Sequence, residues 1–333
     1  MKIALTGDSI LQRRLNSRDD ETLRPLFDLL RGADVSFTNL EVLPNDFQGD
    51  AVLESGGSHF GAPSWILDEL VDGGFDLFST ANNHSLDYGI AGLHAAHAQL
   101  EKRELLFAGT GRNLEEARRP VYCTKPAGTV SLLACTSTFG KGQEASEQTR
   151  DMPGRPGLNP LRYDTVHQLD GTQMEAMRGI IASLGLDRLY QGAVDLGFAH
   201  PIPDPSLAVF GPFTPLLFRQ GESSRLRTLP RKKDMDDILR WVEEARTLSD
   251  IVVLSIHAHE LGHDATGEWN LEAAAEFIQP VARRMIDAGV DIVVGHGPHL
   301  LRGMEIYNGK PIFYSLGNFI GQNELVERLP ADS

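Results

Sequence analysis

Five short apolar segments of this chain are each followed by side chains that can bind metal ions or transfer protons. Carboxylate, carboxamide and imidazole groups are the ligands of borderline divalent metals such as Mn, Zn, Fe, Co or Ni. Each such residue alone has an ordinary explanation as a turn, cap or core residue, but five such segments together predict a site for one or two divalent ions. In chain order, the residues are Asp8, then Asn39 and Glu41, then Asn82, Asn83 and His84, then His257 and His259, then His296 and His299.

Residues 291–318 show how such side chains would be positioned. The apolar run 292–294 is typical of a buried strand in a parallel sheet. Gly295 ends that strand, and His296 and His299 follow on a segment interrupted by Pro298. Ligands of open α/β sheets bind at the carboxyl ends of the strands. We therefore expect the five segments to be strands that end at one shared edge.

The segments between these strands have the apolar spacing of amphipathic helices. This alternation predicts an α/β fold with layered sheets and helices on the outside. Ser64 is expected to cap the helix predicted at 64–72. Strands are predicted at 2–6, 35–40, 75–80, 105–108, 121–124, 129–136, 251–256, 292–294 and 311–315, and helices at 22–31, 64–72, 89–103, 234–247 and 271–288.

Residues 139–233 differ from the rest because prolines and glycines are frequent and the periodicity weakens. A helix is predicted at 174–184, whereas 202–213 has the composition of a loop. We interpret 1–333 as one domain with 139–233 as a long insertion over the sheet edge. This insertion is either a lid over the substrate or an ordinary surface excursion, since long ordered loops are often functional.

Composition excludes several classes of protein. Lys and Arg number 31 against 46 Asp and Glu, a formal charge of -15, which argues against nucleic-acid binding. No apolar run approaches the ~18 residues of a membrane span, and the N-terminus lacks a signal-peptide pattern. We therefore expect a cytoplasmic protein without a membrane partner. Cys123 and Cys135 are expected to be free thiols, because cytosolic proteins seldom keep disulfides.

Four motifs carry a resemblance to a known family: GDS at 7–9, TNLE at 38–41, ANNHSLDYG at 81–89 and GHGPHLLRGMEIYNGKPIFYSLGNF at 295–319. The chain resembles the CapA family (poly-γ-glutamate capsule synthesis protein type) of the calcineurin-like metallophosphoesterase superfamily. The motifs span nearly the whole chain apart from the middle insertion. The resemblance implies a metallophosphoesterase-like fold with a two-metal centre at the carboxyl edge of the sheet.

The resemblance also implies roles for individual residues. Asp8 and His299 would hold one metal, and Glu41 would bridge the two ions. The second ion would be held by Asn83, His257 and His296. His84 would stand beside the substrate with Asp87 as its orienting partner. Apart from the resemblance, four further side chains either support the site or contact substrate, or have ordinary structural roles in turns and caps: Asn39, Asn82, Arg302 and Asn318.

The chain departs from the family pattern at two places. Phosphoesterases of this kind usually begin Asp-x-His, but Ile10 stands where that histidine would be. Where common family members read His-Trp-Gly, this chain has His257, Ala258, His259 and Glu260, with His263 nearby. His259 either replaces the missing ligand or serves as an additional acid–base group.

Two reactions fit such a centre. Metals about 3.5–4 Å apart can activate water for hydrolysis, or stabilise charge on a substrate oxygen. In the second case a neighbouring Cα–H becomes acidic, and histidine, with a pKa near 6.5, suits the proton transfer. The resembling group includes a metal-dependent epimerase of lasso-type peptides. We therefore favour a peptide epimerase with His84 and His259 as acid–base groups. The alternatives are a phosphoester or amide hydrolase and a protein of poly-γ-glutamate capsule biosynthesis, so the expected partner is a peptide or poly-glutamate-type substrate.

Overall fold

The computed structural model describes residues 1–55, 57–202, 204–211, 215–263 and 267–330. The elements of the first half are β1 (Ile3–Ile10), α1 (Arg24–Arg31), β2 (Val35–Leu40), α2 (Ile66–Gly73), β3 (Leu77–Ser79), α3 (Gly89–Lys102), β4 (Leu106–Ala108), β5 (Thr110–Gly111), α4 (Leu114–Arg118), β6 (Val121–Lys125), β7 (Gly128–Thr136) and β8 (Gly157–Leu158). Those of the second half are β9 (Tyr163–Leu169), α5 (Gly171–Ser183), α6 (Leu186–Asp195), β10 (Ala208–Phe210), β11 (Leu216–Gln220), β12 (Arg225–Pro230), α7 (Lys232–Leu248), β13 (Ile251–His257), β14 (Leu261–His263), β15 (Trp269–Ala274), α8 (Ile278–Ala288), β16 (Ile292–His296), β17 (Met304–Tyr307), β18 (Lys310–Phe313) and β19 (Asn318–Gly321).

Two sheets form the centre of the molecule. The first has the strand order β19-β1-β2-β3-β4, and the second has the order β17-β18-β16-β13-β7-β6. The first sheet is parallel throughout. In the second sheet β7, β13, β16 and β18 are parallel, and the edge strands β6 and β17 are antiparallel to their neighbours. Parallel strands need crossover connections, which the helices supply.

Three apolar cores separate the layers. The core between the two sheets contains Phe37 and Leu77 from the first sheet and Leu132, Val253 and Val294 from the second. A second core packs α1 and α2 against the outer face of the first sheet. A third core packs α7 and α8 against the outer face of the second sheet. The predicted layered α/β fold with helices on the outside is confirmed.

Strand register brings the predicted site residues to one edge. Asp8 of β1 lies opposite Asn39 of β2, and His257 of β13 lies opposite His296 of β16. These strands belong to two sheets that face each other across the inner core. Their carboxyl ends therefore line one cleft from both sides, as expected from parallel strands.

The region 139–233 contains more regular structure than its composition predicts. Strands β9 to β12 form a separate sheet in the order β10-β11-β9-β12, and α5 packs on it through Met174 and Ile181 beside Phe218. The helix predicted at 174–184 is present as α5. The loop expected at 202–213 is wrong at Ala208–Phe210, which forms β10; residues 203 and 212–213 lie outside the described part. Three residues are too few for a strand period to be recognised in the sequence.

Two other local predictions are wrong. The helix expected from 271 begins only at Ile278, because Trp269–Ala274 forms a hairpin strand with β14. Leu271 and Ala274 have helical spacing by coincidence, since Leu271 is 61% exposed. Ser64 does not cap α2: the helix begins at Ile66 without a side-chain cap, and the Ser64 N–H donates to Asp46.

Cys123 and Cys135 are both buried free thiols, as predicted. Among the residues that the structure describes, no helix has the length and apolar character needed to cross a bilayer.

Candidate metal centre

The innermost part of the cleft is a buried group formed by Asp8, His257 and His296. One potential ligand atom from each lies within 4.8 Å of the other two. The Nδ1 atoms of His257 and His296 are 2.9 Å apart, and His296 Nδ1 lies 3.5 Å from Asp8 Oδ1. A carboxylate and two imidazoles that converge at this spacing are a donor set for one divalent ion.

Glu41, His259 and His299 form a second group in the same cleft, again with ligand atoms within 4.8 Å. Glu41 is fully buried, whereas the side chains of His259 and His299 are 29% and 38% exposed, so this group faces solvent. His299 Nδ1 lies 3.8 Å from Glu41 Oε2 and 3.5 Å from Asp8 Oδ2. The two groups are therefore contiguous.

The hydrogen bonding of the Glu41 carboxylate tests whether this donor set suits metal ions. Neither of its oxygens has a hydrogen-bond partner among the described residues. Burial, followed by the charge of Asp8, raises the pKa of Glu41 well above its ordinary value. A buried carboxylate without partners is costly. Divalent ions between the two groups would satisfy both oxygens, so the donor set fits a metal centre.

The grouping differs from the one that the resemblance implies. Asp8 lies with His257 and His296 rather than with His299 alone, and His299 lies with Glu41 and His259. His259 Nε2 is 3.0 Å from His257 Nε2 and 3.8 Å from Glu41 Oε1. His259 is thus placed among the candidate ligands. Ile10, which replaces the usual histidine, is buried in the core with α1 and α2.

His84 lies beside this donor set and is held from three sides. Its Nδ1 is 2.7 Å from Asp87 Oδ2, and its ring stacks on Phe60 with centroids 4.1 Å apart. The same Asp87 oxygen accepts a hydrogen bond from the Phe60 N–H at 2.7 Å. His84 Nε2 lies 3.2 Å from the Asn83 amide nitrogen. Because Asp87 accepts at Nδ1, Nε2 is the ring atom left for proton transfer.

Two of the expected supporting residues, Asn39 and Asn318, contact candidate ligands directly. Asn39 donates to Asp8 Oδ1 at 2.8 Å, and Asn82 donates to the Leu40 carbonyl at 2.9 Å and to Asn39 Oδ1 at 3.3 Å. Asn318 Oδ1 lies 2.8 Å from His299 Nδ1. Asn82, Asn39 and Asp8 thus form one hydrogen-bonded chain, in which each polar group orients the next.

Sequence reasoning assigned no role to three residues of the site: Phe60, described above, Ser255 and Glu260. Ser255 Oγ lies 2.6 Å from His296 Nε2 and fixes that ring. Glu260, a neighbour of His259, is bound by Ser137 at 2.7 Å and by Thr138 at 3.0 Å. Ser255 could have been found, because it precedes His257 by two residues on the same strand and therefore points to the same side. Arg302 does not contact the candidate ligands and lies beneath β15, where its Nε donates to the Leu271 carbonyl.

The loop after β16 has an unusual backbone. Gly297 has φ 121°, and its N–H donates to Asp8 Oδ2 at 3.1 Å. His299 has φ 58°, a left-handed conformation that is uncommon for residues other than glycine. Such conformations cost of order 1–3 kcal/mol and are concentrated at functional sites. This turn returns His299 to the cleft that His296 already lines.

Burial keeps most of the cleft imidazoles neutral, which metal binding requires. It lowers the pKa of His257 well below the usual value and lowers the pKa values of His259 and His296 to about 4. His299 is the exception, because its hydrogen bond with Asp8 raises its pKa. Burial alone would raise the pKa of Asp8, but the hydrogen bond with His299 and the charge of His296 leave it lowered.

Comparison with known proteins places the chain in a family. Residues 2–323 match the model of the bacterial capsule synthesis protein PGA_cap. The uncharacterized protein y4sH of Sinorhizobium fredii (strain NBRC 101917 / NGR234) is 35% identical over 94% of this chain and 64% of its own length. The PGA biosynthesis protein CapA of Bacillus subtilis (strain 168) is 27% identical over 75% of this chain and 44% of its own length. The chain thus spans less than two thirds of either relative.

A solved structure of a candidate 5'-nucleotidase from Staphylococcus aureus, in complex with alpha-ketoglutarate, aligns with 94% of this chain and 48% of that one, at 13% identity and a TM-score of 0.41. That similarity is too low to transfer any property. The family match over nearly the whole chain is sufficient: this protein belongs to the PGA_cap family of bacterial capsule synthesis proteins.

Proposed function

We propose that this protein is a metal-dependent enzyme that acts on a peptide or poly-glutamate-type chain. The observation that carries the proposal is Glu41, a fully buried carboxylate whose two oxygens have no hydrogen-bond partner among the described residues. The substrate class is supported by the relative in Bacillus subtilis, which is named for PGA biosynthesis.

The candidate ligands of the centre are Asp8, Glu41, His257, His259, His296 and His299. Asn83 is a further candidate, because its side chain lies beside His84 at the same edge. Bound ions would stabilise negative charge on a substrate oxygen or lower the pKa of a water molecule. The metals Mn, Zn, Fe, Co and Ni all suit such mixed nitrogen and oxygen ligands.

His84 is the residue that would move a proton. The buried Asp87 carboxylate binds Nδ1 and would stabilise the imidazolium that forms when Nε2 accepts a proton. Phe60 covers one ring face, which keeps the imidazole in one plane. The ring plane is therefore fixed, and Nε2, beside the Asn83 amide nitrogen, is the atom that would exchange the proton.

Epimerisation at Cα is the reaction that we favour. His84 Nε2 removes the Cα proton, and a second group returns a proton to the opposite face, so that the configuration inverts without a change in mass. His259 is our candidate for the second group, since its imidazole is 29% exposed and lies beside His257.

Hydrolysis is the second candidate, and a specific contact favours it. His259 Nε2 lies 3.0 Å from His257 Nε2, which is a position for a ligand rather than for a proton carrier. If His259 binds metal, His84 is left to protonate the leaving group of an amide or phosphoester.

The test is mass spectrometry of candidate peptides, γ-glutamyl peptides included, incubated with metal-loaded protein in deuterium oxide. Epimerisation adds one mass unit at one residue without cleavage, whereas hydrolysis gives shorter chains or free phosphate. The variant His84→Asn should abolish either outcome with metal content unchanged. If neither deuterium uptake nor cleavage occurs with any metal, the proposal is wrong.

A further inference from the structure

His259 differs from the other imidazoles of the cleft in how its ring is held. Ser255 lies 2.6 Å from Nε2 of His296, and Asn318 lies 2.8 Å from Nδ1 of His299. Among the described residues, the hydrogen bonds of His259 involve its Nε2 and its backbone N–H, and none reaches Nδ1. A partner on the second ring nitrogen is the usual way in which a functional imidazole is oriented. The position of this ring is therefore set by the backbone that carries it.

The backbone at His259 is bonded to the segments on both sides of β13. The His259 N–H donates to Thr138 Oγ1, two residues beyond the end of β7, at 2.9 Å. The preceding N–H, that of Ala258, donates to the His296 carbonyl at the end of β16 at 2.9 Å. Two consecutive peptide groups are thus fixed where the chain leaves the sheet.

Glu260 fixes the hydroxyl group that accepts the first of these bonds. Thr138 Oγ1 donates to Glu260 Oε1 at 3.0 Å, and Ser137 Oγ donates to Glu260 Oε2 at 2.7 Å. A hydroxyl group has one proton to donate and two lone pairs. Because the carboxylate takes the proton of Thr138, a lone pair stays directed at the His259 N–H. Glu260, Thr138 and Ser137 form what we call the Glu260 clamp.

The clamp is shielded by the first residue of the insertion sheet. Burial, and then the charge of Glu260, raises the pKa of the Tyr163 hydroxyl at the start of β9, so this side chain lies near the clamp. The Tyr163 ring stacks on Phe277 with centroids 4.6 Å apart. Glu260 itself is partly buried. Hydrogen bonds in such surroundings compete less with water and hold their geometry better than exposed ones.

We propose that Glu260 and Thr138 are positioning residues for His259. Acting through the backbone N–H, they hold its Nε2 at 3.0 Å from His257 Nε2 and 3.8 Å from Glu41 Oε1. The inference rests on the proposed function in one respect, that His259 takes part in the reaction. The clamp serves either role of His259, as a metal ligand or as the second proton-transfer group, because both roles need the ring in a fixed place.

The experiment removes a single hydroxyl group. Thr138→Val keeps the shape of the side chain but leaves the His259 N–H without its acceptor, whereas Thr138→Ser keeps the hydroxyl. Metal-free protein is titrated with Mn²⁺ while the free ion is followed by electron paramagnetic resonance, and kcat and KM are measured on the metal-loaded samples. In Thr138→Val, either the second Mn²⁺ should bind at least about tenfold more weakly, or kcat should fall at least about tenfold with KM unchanged.

The first of these results makes His259 a ligand, and the second makes it a proton carrier. Binding of the first Mn²⁺ should stay unchanged in both cases. Thr138→Ser should behave as the parent, and Glu260→Met should change the same quantity as Thr138→Val. The matched control is Thr124→Val, which removes an exposed hydroxyl group 3.0 Å from Thr129 Oγ1 and should have no effect.

The inference is overturned if Thr138→Val keeps both the second ion and the parent kcat. It is also overturned if Thr138→Ser is impaired as much as Thr138→Val, or if the first ion is lost together with the second. Mn²⁺ binding is read without substrate, so a failed deuterium experiment does not decide it. Conversely, a Thr138→Val variant identical to an active parent would refute the clamp and leave the proposed function intact.

Discussion

The environment of Glu41 suits a bound ligand better than it suits the stability of the fold. Its carboxylate is fully buried, and the imidazoles of His257, His259 and His299 approach it at 3.6–3.8 Å without forming a hydrogen bond. In the metal-free protein this charge should destabilise the folded state.

Glu41→Gln tests that reading on metal-free protein. The folded-state pKa of Glu41 is raised, so its favourable contribution is present below the unfolded pKa and is lost as pH rises through the folded pKa. Urea unfolding should therefore show Glu41→Gln to be more stable than the parent at pH 8, by about 1–3 kcal/mol. The exposed control Glu115→Gln should change little. A less stable Glu41→Gln at pH 8 would refute the interpretation.

Asp87 is the second residue whose substitution should have a defined effect, in this case on kcat. Asp87→Asn keeps the shape of the side chain but removes the charge that would stabilise a protonated His84. We expect kcat to fall roughly 10²-fold or more, with KM and metal content nearly unchanged, in whichever of the two reactions is observed. An unchanged kcat would remove His84 from its role as proton carrier.

At the scale of elements, the candidate site could be predicted because its polar side chains directly follow apolar strand segments. Apolar runs followed at once by Asp8, Glu41, His84, His257 and His296 identify the strands and the edge together. The pairing of ligands could not be predicted. It depends on how the turn at Gly297 and His299 folds back, and no periodicity in the sequence encodes such a turn.

The strands of the hairpin β14–β15 and of the insertion were harder to predict, because the sequence of each lacks a clear strand periodicity. Trp269–Ala274 combines exposed and partly buried residues without alternation, so its spacing imitates a helix. In the insertion, three-residue strands such as β10 are held by tertiary pairing rather than by local preference. That 139–233 is a lid over the substrate stays a prediction.

A buried ion-pair network attaches the insertion to the core. Asp234 at the start of α7 accepts from Arg118 at 3.0 Å and from the Nε and Nη2 of Arg162, the residue before β9, at 2.8 and 2.7 Å. Arg118 also binds Asp237. Removing the charge of Asp234 would leave Arg118 with Asp237 alone and would take from Arg162 its carboxylate partner.

Asp234→Asn should therefore destabilise the protein by about 3–5 kcal/mol and should increase amide hydrogen exchange in β9 and β12. Asp236→Asn on the same helix is the matched control, since its pair with Lys232 is exposed and is worth at most about 1 kcal/mol. Equal effects of the two variants in urea unfolding would contradict the assigned role of the network.

For the molecule as a whole, buried neutral histidines set the response to acid. His97 is a buried residue of α3, and its Nε2 lies 2.8 Å from Thr110 Oγ1 of β5. Burial, and then the charge of His94, lowers its pKa to about 4. The unfolded chain binds a proton near pH 6.5, so the stability that His97 contributes is lost as pH falls from about 6.5 towards 4.

In His97→Gln the decrease in the free energy of unfolding on acidification should be smaller by roughly 3 kcal/mol. In the exposed control His94→Gln this decrease should be the same as in the parent. The measurement is the free energy of unfolding of metal-free protein between pH 7.5 and 4.5. The idea fails if His97→Gln and the parent lose stability in parallel.

The most direct test of the central claim is the metal stoichiometry of the protein. Purified chain is equilibrated with Mn or Zn, freed of excess metal and measured by inductively coupled plasma mass spectrometry. We predict two ions per chain for the parent and one for His299→Ala, because His299 belongs to the solvent-facing group and the buried group of Asp8, His257 and His296 remains complete. A parent protein that retains neither metal would contradict the account.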